Sequence, residues 1–140
     1  EDEARRFGIE HLISFTGEVA DPLPFMEKAD LLVLSSQYEG LSNVLIEAMS
    51  VGTQVVSTDC PHGPSEILEA GRFGQLVPVG DPVALAKAMR RSLDGEFWIG
   101  PDALRSRALD FTVAKATRRY LELVGFNVSE FVEATTECLL

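Results

Sequence analysis

The stretch "SSQYEGLSNVLIEAMSVG", Ser35 to Gly52, sets two glutamates, Glu39 and Glu47, into a run of apolar and small residues, with seven residues between them. Carboxylates are among the side chains least often fully buried, so two of them in this setting ask for a purpose. Gly40 lets the chain turn sharply, and Ser42 or Asn43 can cap a helix that follows. On that helix Asn43, Glu47 and Ser50 fall at i, i+4 and i+7, one polar stripe among Val44, Leu45, Ile46, Ala48, Met49 and Val51. A stripe of this kind on an otherwise apolar helix points to a cleft. The free backbone N–H groups at the start of the helix suit a phosphate.

With Glu39 in the loop and Glu47 about one turn inside the helix, their Cα atoms would stand roughly 8–12 Å apart, from about 1.5 Å of rise per helical residue plus a short loop. That span suits two hydroxyl-bearing groups of one extended ligand better than a shared reacting atom. Ionised carboxylates accept strong hydrogen bonds from hydroxyls, so a sugar at one end and a ribose at the other, with phosphates between, satisfy the spacing. A glycoside hydrolase fits less well, because its two carboxyl groups stand about 5–5.5 Å apart in retaining enzymes and about 6.5–9.5 Å apart in inverting ones. The plain alternative is a helix-capping acid at Glu39 and a solvated face at Glu47.

The elements that must position these residues are legible as short apolar runs: "LISFTG" (Leu12 to Gly17), "DLLVLSS" (Asp30 to Ser36), "QVVSTD" (Gln54 to Asp59) and "GQLVPVG" (Gly74 to Gly80). They are continuous rather than alternating, the signature of strands covered on both faces. Helical segments separate them, at Pro22 to Ala29, Ser42 to Val51, Pro64 to Ala70 and Pro82 to Leu93, the last with Asp81 as N-cap. Gly52, Gly71 and Gly95 fall where C-terminal caps are expected. This alternation predicts an α/β fold, a Rossmann-like parallel sheet flanked by helices, over residues 1–100. Ligands of such sheets bind at the carboxyl ends of the strands, where the helix after "DLLVLSS" begins. Residues 101–140 read as helices only, packing on the same domain, with Thr112 as a candidate N-cap and a last helix or frayed end in "NVSEFVEATTECLL". Glu1 to Gly8 read as a helix already in mid-fold, and four strands are few for a doubly wound sheet, so further sequence upstream is expected.

Composition limits the partners. Twenty-two acidic against twelve basic residues leave a formal charge of −10, which disfavours nucleic acid and anionic lipid. Two cysteines, Cys60 and Cys138, without metal-ligand spacing suggest neither a zinc site nor a disulfide framework, and a reducing, cytosolic setting is the simplest reading. No apolar run approaches the roughly 20 residues of a membrane helix.

Glu39-x7-Glu47 within "YEGLSNVLIEAMSVGTQVVST" resembles the E-x7-E signature of the retaining glycosyltransferases of family 4, which have the GT-B fold of two Rossmann-like domains. The resemblance runs from about Ile13 to Tyr120 and includes "FTGEVADPLPFMEKADLLVLSS", "CPHGPSEIL" and "GQLVPVGDPVALAKAM", the nucleotide-sugar-binding C-terminal half of that family. It implies that Glu39 contacts donor-sugar hydroxyls with a catalytic part, and that Glu47 holds the ribose hydroxyls. Gly40, Leu41, Ser42 and Asn43 would bring backbone amides to the sugar and phosphates, and Thr16, Gly17 and Glu18 would line the nucleobase pocket. Gly63, Pro64 and Glu66 in "PHGPSE" match a GGxPE-like segment, from which His62 and Ser65 depart. Glu66 in a first helical turn could equally only complement the helix dipole.

The implied activity is transfer from a nucleoside-diphosphate sugar, UDP-sugar in the family's common members, to an acceptor hydroxyl with retention, in polysaccharide or glycoconjugate biosynthesis. No obligatory metal is implied, in keeping with the lack of a DxD-type motif, and no other cofactor. The family's basic pair for the diphosphate and its acceptor-binding N-terminal domain are not found here, since Arg5, Arg6 and Lys28 do not match. These 140 residues alone are therefore expected not to transfer sugar. The expected setting is cytoplasmic, at the inner face of the membrane through that other domain. A non-catalytic nucleotide-sugar-binding module is the alternative.

Overall fold

The computed structural model describes residues 1–126. Three parallel strands, β1 (Leu31–Leu34), β2 (Gln54–Thr58) and β3 (Gln75–Val77), lie side by side in the order β1-β2-β3. Leu31 pairs with Gln54 and Val56 with Gln75. Helices α1 (Asp2–Arg6), α2 (Leu23–Lys28), α3 (Asn43–Val51), α4 (Pro64–Ile67), α5 (Pro82–Leu93), α6 (Pro101–Ala108) and α7 (Val113–Leu123) complete the described chain, with 3₁₀ turns at Glu10–Leu12 and Leu109–Phe111.

Alternation along the strands sends side chains to two cores. Leu32, Leu34, Val55 and Leu76 face one side, with Met26 of α2, Leu45, Ala48 and Met49 of α3, Ile67 of α4, and Leu104 and Ala108 of α6. Leu31, Val56 and Val77 face the other side, under Ala84, Leu85 and Ala88 of α5. Helices on both faces explain the continuous apolar runs, and β2, buried along its whole length, is the central strand. Each fully buried Leu, Ile or Met contributes about 1.5–3 kcal/mol relative to exposure. Leu104 and Ala108 share a core with α3, so α6 is part of one hydrophobic interior with the sheet, whereas α7 buries no residue and leaves Val113, Tyr120 and its C-cap Val124 exposed, contrary to the packing expected for it.

Buried polar residues at the amino ends of the strands are satisfied. The Gln54 amide donates to Ile99 O at 2.7 Å and its Oε1 accepts from Ile99 N at 3.1 Å. Gln75 Nε2 donates to Ala88 O and Ser92 Oγ, both at 2.7 Å, and Thr53 Oγ1 donates to Met26 O at 2.6 Å. In "GEFWIGP" it is Ile99 that packs on the core, whereas Trp98 is 62% exposed. Gly74 immediately precedes β3, and a Cβ there would lie 2.5 Å from Val55 Cγ2, so only glycine lets the chain approach β2 at that point. The caps follow the sequence at Asp81, whose side chain accepts from Ala84 N, at Thr112, which accepts from Lys115 N, and at Gly52, which closes α3 in the left-handed region.

Two expected elements differ. "LISFTG" is not a strand: the 3₁₀ turn Glu10–Leu12 is followed by extended backbone at Ile13 that joins no ladder. Among the described residues β1 pairs only with β2, so this run has no neighbouring strand, and Leu12, Ile13 and Phe15 stay exposed. The helix expected over Pro64 to Ala70 stops at Ile67, because Glu69, Ala70 and Gly71 all take positive φ and reverse the chain. The segment "NVSEFVEATTECLL" lies outside the described residues.

The helices after Pro101 are tied together by Asp110, which accepts from Lys115 Nζ at 2.7 Å and Arg107 Nη1 at 3.0 Å. The Lys115 hydrogen bond first, then that of Arg107, holds its carboxyl below the ordinary value of 3.8. A depressed carboxyl contributes stability that is full above its unfolded value and is lost as pH falls through the folded one. Asp110→Asn is therefore expected to lower the Tm at pH 7, with the gap to wild type closing below about pH 4. Melting curves across that range check this, and a gap that stays constant into acid would contradict it.

Candidate donor site

The site forms at the carboxyl ends of β1 and β2, where two loops meet. Ser35–Ser42 connects β1 to α3, and Asp59–Gly63 connects β2 to α4. Gly63 has φ 89° and ψ −74°, and a Cβ there would lie 3.0 Å from Gly40 O, 3.0 Å from Ser42 Oγ and 3.2 Å from Ser42 N. Only a glycine lets the second loop lie this close to the turn before α3. His62 beside it also has positive φ, at 66°, an uncommon conformation for a residue with a side chain.

Ser42 occupies the N-cap position of α3, but its hydroxyl makes no capping hydrogen bond, which departs from the expected role. Ser42 is 1% exposed, and its Oγ has no hydrogen-bond partner among the described residues. A buried hydroxyl left unpaired is costly, and such atoms in native folds call for an explanation. The amides of Leu41, Ser42 and Val44 likewise donate to no protein acceptor among the described residues, while Asn43 N is taken by Leu41 O at 2.8 Å. The turn thus offers a hydroxyl and free N–H groups together at a helix start.

Glu39 is half-buried beside this turn, and its Oε1 accepts from Ser36 Oγ at 2.6 Å. Glu47 is half-buried on α3, with Asn43 and Ser50 exposed on either side along the helix; Ser50 Oγ donates to Glu47 O at 2.7 Å. Gly40 and Leu41 are exposed, and Pro64 is buried at the first turn of α4. Glu66 is exposed in that turn, while its carbonyl accepts from Arg107. Thr16, Gly17 and Glu18 are exposed, and among the described residues no hydrogen bond joins them to the loop of Glu39 or to α3. The structure therefore brings Gly40, Ser42 and Gly63 into close approach and shows no hydrogen bond from Thr16, Gly17 or Glu18 to that turn among the described residues.

Sequence reasoning did not single out Ser36 or Thr58. Thr58 ends β2 and donates from Oγ1 to Ser36 O at 2.5 Å. The signal available was a serine three residues before Glu39 and a threonine closing the neighbouring strand. No Lys or Arg occurs between Lys28 and Arg72, so α3 and both loops carry no lysine or arginine side chain. Two open clefts among the described residues lie elsewhere. One of about 520 Å³ opens at the opposite ends of the strands, with Asp30, Thr53 and Trp98 in its lining, and one of about 580 Å³ runs between Ile46 of α3 and Phe111.

These loops lie at the carboxyl ends of the strands of an α/β fold, where such sheets bind ligands, and comparison with known proteins shows the family. Residues 1–95 match the family model described as glycosyl transferases group 1. The chain belongs to that family. It is 30% identical over 131 residues to the lipopolysaccharide core biosynthesis glycosyltransferase LpsE of Rhizobium meliloti, covering 87% of this chain and 36% of the relative. It is also 30% identical over 104 residues to the lipopolysaccharide 1,6-galactosyltransferase of Escherichia coli, covering 74% and 29%. The chain thus spans about a third of the length of these relatives.

Among solved structures, the apo form of the lipopolysaccharide outer core galactosyltransferase WaaB superposes with a TM-score of 0.78 at 24% identity, over 88% of this chain and 36% of that one. Anabaena HepE in complex with UDP superposes with a TM-score of 0.65 at 25% identity, over 99% and 35%. The fold is that of a GT-B glycosyltransferase domain. Among the described residues no helix is long and apolar enough to cross a membrane.

Proposed function

We propose that the chain is the donor-binding half of a retaining glycosyltransferase that takes a nucleoside-diphosphate sugar. The observation that carries this reading is the unpaired, buried Ser42 hydroxyl in the turn that Gly63 closes at the start of α3. A phosphate oxygen at that turn would accept from the hydroxyl and the free amides and would sit at the positive end of the helix dipole. Glu47 then accepts from the ribose hydroxyls and Glu39 from those of the sugar, with Glu39 acting at the reacting end. The nucleobase is assigned to Thr16, Gly17 and Glu18, and Gly63, Pro64 and Glu66 border the sugar. UDP is the favoured nucleotide, by analogy with HepE, which was solved in complex with UDP.

In this reading the donor needs no metal, the acceptor hydroxyl belongs to a growing polysaccharide or glycoconjugate, and the enzyme works in the cytoplasm at the membrane's inner face. No Lys or Arg falls between residues 29 and 71, so in this reading the cations neutralising the diphosphate are supplied from outside that stretch. The same lack favours, as a second reading, a binding module that holds the donor without turning it over.

The test is a calorimetric titration of UDP, GDP and ADP and their glucose conjugates against wild type, Glu47→Ala and Glu39→Ala. Glu47→Ala is expected to weaken the bare nucleotide about tenfold, the effect of losing hydrogen bonds to a charged group. Glu39→Ala is expected to leave bare nucleotide unchanged and to remove the preference for the sugar-bearing ligand. Identical isotherms for all three proteins would sink the assignment. Turnover with an acceptor, against binding alone, separates the enzyme from the module.

A further inference from the structure

Glu39 lies in a loop, and a carboxylate meant to meet sugar hydroxyls must be held still to be selective. The structure shows what holds it. Oε1 accepts a short hydrogen bond from Ser36 Oγ, at 2.6 Å, which leaves Oε2 to accept from a ligand. Ser36 is itself past the end of β1, which closes at Leu34. Its place is set by Thr58, the last residue of β2 and 4% exposed, whose hydroxyl donates to Ser36 O at 2.5 Å and only distantly to Leu34 O at 3.5 Å. The central, fully buried strand thus controls the carboxylate through one intervening residue.

We propose that Ser36 is a positioning residue for Glu39, anchored by Thr58, and that this relay sets the site's preference for sugar-bearing ligands over bare nucleotide. The inference rests on the donor-site reading above. Glu39 with a free side chain would sample several rotamers, and ordering it on binding would offset the hydrogen bonds gained from the sugar. Held by Ser36, it presents one oxygen in a fixed direction, the arrangement that distinguishes a precise site from a loose one. Bare nucleotide makes no use of Glu39, so its affinity does not depend on the relay.

The experiment measures, on the intact polypeptide, the ratio of Kd values for nucleoside diphosphate and its glucose conjugate, using the tightest of the UDP, GDP and ADP pairs. Ser36→Ala is expected to lower the ratio about tenfold while bare nucleotide stays within about twofold of wild type. Ser36→Thr, which keeps the hydroxyl, restores most of the ratio. Thr58→Val, close in shape but without the hydroxyl, lowers it less, and Thr58→Ser retains it. A role in folding alone would shift Tm and both affinities together.

Equal ratios for Ser36→Ala and wild type, or parallel loss of both ligands, would overturn the relay. Glu39→Ala, run alongside, separates the two failures. If it abolishes the preference while Ser36→Ala does not, only the relay falls. If Glu39→Ala also keeps the preference, the donor-site reading falls with it.

Discussion

Substituting Gly63 by valine is expected to cost the chain at least about a hundredfold in affinity for a nucleoside-diphosphate sugar. The residue's φ of 89° and ψ of −74° lie where L side chains are strained, by about 1–3 kcal/mol, and a β-branched residue tolerates them least. The strain falls on the site itself. The added Cβ would meet Gly40 O and Ser42 Oγ at 3.0 Å and Ser42 N at 3.2 Å, all in the turn that presents the free amides of α3. Two of these three atoms are backbone and cannot rotate away, so the turn must shift by several tenths of an ångström. Alanine at Gly63 is expected to lose about tenfold. Gly95→Ala is the control, because that glycine also has positive φ, at 75°, but a Cβ there has nothing within 4 Å. It should lose a little stability and no affinity. Calorimetry on the three variants decides the matter, and full binding by Gly63→Val would show that the two loops do not hold the ligand.

The three strands and their order of helices were legible because burial on both faces leaves an unbroken apolar run, as in "DLLVLSS" and "QVVSTD". "LISFTG" has the same look and fails, since a ladder needs a neighbour as well as a sequence. Glu39 and Glu47 stood out through their apolar surroundings, a local signal. What surrounds them was hidden because it depends on pairs distant in sequence: Ser36 with Thr58, or Gly63 against Gly40 and Ser42. Ser42 shows the limit of local rules. Its type and position predict a cap, yet the fold buries its hydroxyl and leaves it unpaired. The positive φ at Glu69 and Ala70 was equally out of reach, because neither type announces a left-handed residue.

Arg107→Ala is expected to destabilise the fold by about 1.5–3 kcal/mol, the range for hydrogen bonds that involve a charged group. Only 16% of its side chain is exposed. Its guanidinium donates to Glu66 O at 2.6 Å and Ile67 O at 3.0 Å, pairs with Asp110 at 3.0 Å, and stands over the rings of Phe111 and Phe73 at 4.8 and 5.6 Å. The two carbonyls close α4, four residues long, whose other end begins at Gly63–Pro64. Arg107 therefore steadies the site's second loop from behind, and its loss leaves the two carbonyls without this donor, while Asp110 keeps Lys115 at 2.7 Å. Arg107→Lys should recover little of the loss, because an ammonium cannot fork between two carbonyls and lie flat on two rings. Arg107→Met should do better than alanine by keeping the apolar stem between Phe73 and Phe111. The surface pair Arg91–Glu96, at 3.8 Å and more than half exposed on both sides, sets the scale: removing it should cost less than about 1 kcal/mol. Urea unfolding of these variants measures the difference. A loss at Arg107 no larger than that at Arg91 would mean that the helices after Pro101 do not brace α4, and that the loop before it stands without them.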